Sequence, residues 1–349
     1  MHFEQALQQF GKHYAERWPD AVENRSEENG LQVLTLSSPS QLRENDGNYA
    51  KILHHGEPTE NVIVLIHGLT DSPYYMSAIA ADFAHTGFNV VLPLLPGHGL
   101  KRPGRIFRQI KHIDWVNTVD AACAVAQSLG KKVSIGGLST GGALSVHKII
   151  RNPKDINGGL FLYSAALDIG TAEQLLLQTE AGKIIARLSD QTIWLEKTIV
   201  DQVKMILDDQ AKGSTNEHYG IGENPYKYSV LFFEGASQLA EIIQEINQHY
   251  SDNPPKFGDI SQPVFVAHST ADKSAKYKGV TPLISNQPNK AVKLFSLEDV
   301  PHASVVLKQA IISDEKHEEY TPANPRYAEM SQNMLAFTQR HLISSPKDT

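Results

Sequence analysis

The sequence predicts an α/β fold: a doubly wound, mostly parallel sheet with helices on both faces and a helical cap insertion. Three observations carry this expectation. Short apolar runs that read as buried strands alternate with longer helical patterns. One such strand, Val133 to Ile135, runs into Gly137-Leu138-Ser139-Thr140-Gly141 and then into a helix that stops at Asn152-Pro153. The alternation breaks once, over 170–256, where a helical stretch stands between two sheet strands.

Taken in order, Phe3 to Tyr14 has the spacing of a short amphipathic helix, followed by a polar, turn-rich stretch through Asn29-Gly30. Leu31 to Leu36 alternates and reads as a half-buried strand, and Tyr49 to Leu53 reads as a second. Val62 to Ile66 is continuously apolar, the mark of a parallel strand covered on both faces. Pro73 is placed to open a helix that runs to about His85 and ends at Gly87. Phe88 to Leu92 is the next strand, and Asp114 is the expected N-cap of a helix reaching Leu129-Gly130. After the serine-bearing turn and its helix come strands at Gly159 to Ser164, Pro263 to His268 and Val292 to Ser296, then a last helix from about Tyr327 to Leu342.

Within the interruption, Leu175-Leu176-Leu177, Ile184-Ile185, Ile193-Trp194-Leu195 and Ile206-Leu207 form apolar stripes, and a later helix spans Leu231 to Ile246. Most residues of such a stripe pack against a core. Its place between two sheet strands, however, puts the insertion over the strand ends where open α/β sheets bind ligands. The expected organisation is an N-terminal helix and first strand over 1–48, a core over 49–169 and 257–349, and a cap over 170–256 that roofs a pocket.

Hydrophobic residues make up 41% of the 349, enough to bury a core, and 20% charged residues is ordinary for a globular chain. A net charge of −7 leaves no electrostatic footprint for nucleic acid or an anionic membrane. Met1-His2-Phe3-Glu4 has neither the basic nor the apolar region of a secretory signal, and no apolar run reaches the ~20 residues of a membrane span. A cytoplasmic setting is therefore expected. Cys123, the single cysteine, has no partner for an internal disulfide and lies in a helical run, where a small core residue is expected. His54 and His55 are adjacent and cannot both face one metal from a strand, and no Cys or His-Glu spacing accompanies them, so no metal site is expected.

The Gly-x-Ser-x-Gly pattern alone is common: at about 7% glycine usage it arises by chance in about one chain in ten of this length. The strand before it and the helix after it give it meaning. A serine on so sharp a turn is forced to positive φ and its Oγ stands above the sheet edge, while Gly137 and Gly141 let strand and helix approach. The following helix aims its free N–H groups and positive dipole end at the same spot. A serine at neutral pH needs a base, and the base needs an orienting acid.

Downstream of Ser139, only His302 among the histidines directly follows a late strand. His268 lies within the end of its own strand, and His218, His249, His317 and His341 stand in polar stretches. Asp272 follows the strand Pro263 to His268 and is the expected acid; Asp168, at the end of the preceding strand, competes with it, and Asp299 is a third candidate on a short loop before His302. An oxyanion needs two backbone donors. They are expected from Thr140, next to the serine, and from Leu69 in His67-Gly68-Leu69-Thr70, where Gly68 lets the backbone turn inward and His67 braces the turn.

Together, His67-Gly68-Leu69, Pro93-Leu94-Leu95-Pro96-Gly97-His98-Gly99, the Gly137 to Gly141 turn, Ala271-Asp272 and His302 resemble the α/β-hydrolase fold family, specifically its monoacylglycerol-lipase and bacterial carboxylesterase-like branch, over roughly residues 48 to 343. The resemblance implies hydrolysis of a carboxylic ester through an acyl-enzyme. In that scheme Ser139 attacks, His302 takes its proton and returns it to the leaving alcohol, and a water repeats the cycle without metal or organic cofactor. The implied substrate is a small-molecule acyl ester, monoacylglycerol-like or of another medium chain length, and His98 is implied to be structural. The first ~45 residues, the stretch Val305 to Asn324 and the long cap exceed a minimal core and bear on substrate choice. The same triad also serves amidases and peptidases. A thioesterase or an acyltransferase is the nearest enzymatic alternative, and a non-catalytic ligand-binding protein on the same fold is the alternative of another class. Nothing in the chain specifies an oligomeric state.

Overall fold

The computed structural model describes residues 2–107, 109–169, 221–229, 231–250, 257–286, 291–312 and 319–343. Most of the expected cap, 170–220 and 251–256, lies outside the described residues. The main strands are β1 (Val22–Glu28), β2 (Leu31–Ser37), β3 (Ala50–His54), β4 (Thr59–Ile66), β5 (Asn89–Leu92), β6 (Gly130–Leu138), β7 (Leu160–Tyr163), β8 (Val264–Ser269) and β9 (Val292–Leu297). They form one nine-stranded sheet in the order β1-β2-β3-β5-β4-β6-β7-β8-β9. From β5 through β9 every neighbouring pair is parallel, while β1, β2 and β3 join antiparallel at one edge. A separate short ribbon pairs β10 (Ile311–Ile312) with β11 (Glu319–Thr321).

The helices are α1 (Phe3–Ala15), α2 (Ser77–His85), α3 (Pro103–Phe107), α4 (His112–Leu129), α5 (Thr140–Arg151), α6 (Phe233–His249), α7 (Thr281–Ser285) and α8 (Tyr327–His341). They cover both faces of the sheet, and the alternation of side chains along each strand sorts the core into two halves. Val62, Val64 and Ile66 of β4, Leu160 and Leu162 of β7 and Val264 and Val266 of β8 pack with α1, α4, α5 and α6. Ile63 and Leu65, Phe161 and Tyr163, and Phe265 and Ala267 point the other way and pack with α2 and α8. A strand covered on both faces has no polar side to offer, which is why these segments read as unbroken apolar runs.

Three details depart from the sequence reading. The polar stretch before Asn29-Gly30 is a strand, β1, exposed along its whole length and paired to β2 through a turn in which Asn29 and Gly30 have φ of 52° and 79°. With neither face buried, β1 has no alternation to read; the Asn-Gly turn was its one local signal. Pro73 opens a 3₁₀ turn over Pro73–Met76, and α2 starts at Ser77. Asp114 is not the N-cap of α4. Lys111 holds that position, and Asp114 lies inside the first turn with its Oδ2 accepting the Lys111 N–H at 3.0 Å.

The described helix of the 170–256 stretch, α6, packs on the core side of the molecule. Ile242, Ile243 and Ile246 are buried there, and Glu245 bonds His147 of α5 at 2.6 Å and His112 of α4 at 3.0 Å. Among the described residues no helix is long and apolar enough to cross a membrane, and no cluster of His, Cys, Asp or Glu is arranged to hold a metal.

Cys123 is buried in α4, and burial pushes its thiol up to about 12. A thiol reagent at neutral pH should leave the native protein unmodified and titrate one thiol per chain in denaturant. Rapid reaction of the native protein would contradict this packing of α4.

Candidate active site

The end of β6 delivers Ser139 to the N-cap of α5 with φ 53° and ψ −113°. Positive φ costs a non-glycine residue about 1–3 kcal/mol, so the surroundings must over-determine it. They do so through both of its peptide groups. The Ser139 N–H donates to Tyr163 O at 3.0 Å, and its carbonyl accepts from Ala143 N–H at 3.1 Å and Ala166 N–H at 3.0 Å. The flanking glycines are sterically required. A Cβ on Gly137 would lie 2.5 Å from Ile66 O, and one on Gly141 would lie 2.6 Å from Ile66 C and 2.8 Å from His67 O. Strand β4, strand β6 and helix α5 meet here more closely than any side chain allows.

Asp272 and His302 come from the loops after β8 and β9, and His302 Nδ1 lies 2.7 Å from Asp272 Oδ2. The other carboxylate oxygen accepts the N–H groups of Ser274 and Ala275, each at 2.9 Å. Burial works against the charge on Asp272. The His302 hydrogen bond and charge, with the Ala275 N–H, outweigh it and hold the carboxyl below its ordinary range. An ionised Asp272 keeps the proton of a neutral imidazole on Nδ1 and leaves His302 Nε2 as an acceptor. Among the described residues no hydrogen bond joins Ser139 Oγ to His302.

The other candidates are placed elsewhere. Asp168 pairs with Lys278 Nζ at 3.3 Å, and its carbonyl accepts the Lys276 N–H at 2.7 Å, so it braces the loop after β8. Asp299 is exposed, with φ 52° in the turn before His302. His268 is fully buried, with Nε2 3.0 Å from Ala275 O and 3.6 Å from Asp272 Oδ2. It supports the turn that carries Asp272, and burial lowers its pKa.

The loop Gly68-Leu69-Thr70 lies beside the serine: a Cβ on Gly68 would stand 3.4 Å from Ser139 Cβ. Thr140 is the first residue of α5 and fully buried. Among the described residues neither the Leu69 N–H nor the Thr140 N–H donates to a protein acceptor. Two free donors therefore flank Ser139, at the positive end of a helix. His67 braces this loop. Its Nε2 accepts the Leu95 N–H at 3.1 Å, which puts its proton on Nδ1, 2.9 Å from Gly68 O. Burial lowers its pKa to about 4, so it stays neutral. His98 lies edge-on to His67 at 4.8 Å, with Nδ1 3.0 Å from Pro96 O.

Three further residues bond to the loop or flank it without having been singled out in the sequence: Asp71 and Lys227 through their side chains and Tyr228 through its backbone N–H. Asp71 follows the loop directly. Lys227 and Tyr228 belong to a segment over 150 residues away in the chain, and no local pattern links them to it.

Comparison with known proteins gives three kinds of match. The family described as Serine aminopeptidase, S33, matches residues 57–306. The thermostable monoacylglycerol lipase of Bacillus sp. (strain H-257) is 34% identical over 107 residues, 31% of this chain and 41% of that protein. The match thus spans well under half the length of that curated relative. Among solved structures, one from work on LipS and LipT, two metagenome-derived lipolytic enzymes, superposes with a TM-score of 0.58 at 18% identity, covering 82% of this chain and 96% of the other. A soluble variant of the Saccharomyces cerevisiae monoglyceride lipase gives a TM-score of 0.55 at 13% identity, with 93% and 96% covered. The Paleococcus ferrophilus monoacylglycerol lipase gives 0.52 at 18% identity, with 82% and 96% covered. At these identities the likeness establishes the fold.

Removing an acid that holds a histidine tautomer costs on the order of 10⁴-fold in kcat. Asp272→Asn should show a loss of that order in hydrolytic assays, while Asp168→Asn should stay within about threefold of wild type and shift only Tm. Collapse in Asp168→Asn with Asp272→Asn unaffected would move the acid to the earlier strand.

Proposed function

The chain belongs to the family described as Serine aminopeptidase, S33, on an α/β-hydrolase fold, and on that premise we propose that it is a serine hydrolase cleaving carboxylic esters through an acyl-enzyme intermediate. One observation carries the reading. A serine held at positive φ on the β6–α5 turn stands on the same sheet edge as a histidine already bonded to a buried carboxylate.

In this mechanism Ser139 Oγ attacks the ester carbonyl carbon while its proton passes to His302 Nε2. Asp272 accepts the Nδ1–H throughout and stabilises the imidazolium. The carbonyl oxygen, now negative, is received by the Leu69 and Thr140 N–H groups, each worth about 10²–10³-fold in rate where such donors are preorganised. Collapse of the tetrahedral intermediate breaks the bond to the alkoxide, which takes the proton from His302 Nε2 and leaves as alcohol. A water then attacks the acyl-serine, His302 accepting its proton, and the carboxylic acid departs with Ser139 Oγ reprotonated. The thermostable monoacylglycerol lipase that matches part of the chain supports an ester substrate over a peptide.

The 170–256 stretch is read as a cap over this site. Its sequence is rich in leucine and isoleucine, and α6, the helix of this stretch among the described residues, sets Ala236 and Ala240 against Leu69. An apolar cap suits a medium-length acyl chain. Each buried methylene is worth up to ~0.8 kcal/mol, or about fourfold in kcat/KM.

Two measurements test the proposal. Ser139→Ala should lose about 10⁴-fold or more of p-nitrophenyl ester hydrolysis with Tm retained; a tenth of wild-type activity would reject Ser139 as the nucleophile. Across p-nitrophenyl esters kcat/KM should rise from acetate to medium chains and exceed that for aminoacyl p-nitroanilides. A steady fall from acetate, or faster anilide cleavage, would reject the substrate class.

A further inference from the structure

A backbone donor serves an oxyanion only as well as its loop aims it. The loop carrying Leu69 is not self-supporting. Its closing bond, Asp71 N–H to Gly68 O, is long at 3.3 Å, and Thr70 stands at φ 66°, where a β-branched residue is an outlier. Besides the His67 brace, the ties that hold it come from a strap far away in sequence. Tyr228 N–H donates to Thr70 O at 2.9 Å, and Lys227 Nζ pairs with Asp71 Oδ1.

The strap is itself fixed from other directions. Arg43 Nη2 and Nη1 donate to Asn224 O at 2.7 Å and Lys227 O at 3.3 Å. Asn48 Nδ2 donates to Pro225 O at 3.0 Å, and the Tyr226 ring stacks on Tyr74 at 3.5 Å. Tyr228 OH donates to Gly97 O at 2.9 Å and accepts the Leu100 N–H at 2.8 Å. The pull on Asp71 and Thr70 thus comes from an anchored point.

Charge adds a second role. The Asp71 side chain is buried, and its Oδ2 lies against Gly68 on the side facing Ser139, since a Cβ on Gly68 would meet both. An uncompensated carboxylate there would oppose negative charge developing at the oxyanion. Burial works against the Lys227 ammonium, but Asp71 outweighs it and holds its pKa above the ordinary value.

We propose that Lys227 and Asp71 are positioning residues for the oxyanion hole: their pairing aims the Leu69 N–H and neutralises a carboxylate that would otherwise face the developing charge. The inference rests on the serine-hydrolase reading above.

The test compares the kinetics and Tm of Lys227→Met, Lys227→Arg and the uncharged double variant Asp71→Asn/Lys227→Met with wild type. Loss of one oxyanion donor costs about 10²–10³-fold in kcat, so misaiming it beside a bare carboxylate should cost Lys227→Met about 10²-fold, with KM changed less than about threefold. Lys227→Arg should stay within about fivefold of wild type. The double variant should recover to about tenfold below wild type, which a merely structural clamp would not do. The proposal is overturned if Lys227→Met keeps kcat within about twofold of wild type, or if the double variant is no faster than Lys227→Met. Should the bare carboxylate prevent Lys227→Met from folding, the double variant decides alone: kcat within about twofold of wild type overturns the proposal, and a loss of about tenfold at constant KM supports it. If Ser139→Ala keeps its activity, the hydrolase reading falls and this inference with it. If Ser139→Ala is inactive and the Lys227 variants are unaffected, this inference alone falls.

Discussion

The backbone of Ile66 and His67 at the end of β4 touches the backbone of Gly141 at the start of α5, and the geometry of the site follows from that contact. A Cβ on Gly141 would lie 2.8 Å from His67 O, so no other residue type permits the approach. Because β4 and α5 are this close, the chain leaving β4 must pass beside the residue that enters α5. Ser139 and the Gly68-Leu69 loop are neighbours for that reason: the β6–α5 turn carries the hydroxyl and the Thr140 N–H, and the loop after β4 brings Gly68 and Leu69 beside them. Parallel pairing does the rest. In β6, β7, β8 and β9 all strands point the same way, so the loops bearing Ser139, Asp272 and His302 emerge on one edge of the sheet.

Holding this arrangement is costly locally, and the cost is met by buried polar ties. Ser139, Thr70 and Ser164 all have positive φ close to the strand ends. Each lies in a segment whose backbone is bonded across elements: Ser139 to Tyr163 and Ala166, Thr70 to Tyr228, Ser164 to Ala267. His67 contributes as a neutral group, with both ring nitrogens engaged by backbone. Asp272 contributes as a charged one, kept ionised by a histidine and two backbone donors. The site is therefore preorganised by groups whose protonation states at neutral pH are set by their neighbours.

What the sequence made legible divides by range. The interior strands and the long helices could be read because burial leaves a period in the residues themselves, as in the two alternating sets of β4. The turn around Ser139 could be read because its steric demand falls on adjacent positions. Asp272 and His302 could be paired from the order of strands alone, since each follows a strand of the parallel half. β1 could not be read, because an edge strand exposed on both faces leaves no period. Nor could the N-cap of α4, because Asp114 serves from inside the first turn and looks the same in sequence. The Lys227 and Tyr228 ties were illegible for a different reason: they join a loop to a strap that meets it only in three dimensions.

The central claim is that this architecture displays Ser139 as an activated nucleophile. Fluorophosphonate treatment followed by peptide mass spectrometry measures that directly, because stable phosphonylation requires an activated serine and samples every hydroxyl in the chain. The account predicts a single adduct on Ser139, formed much more slowly in His302→Ala. A native protein that takes no label, or takes it at another residue, would contradict it.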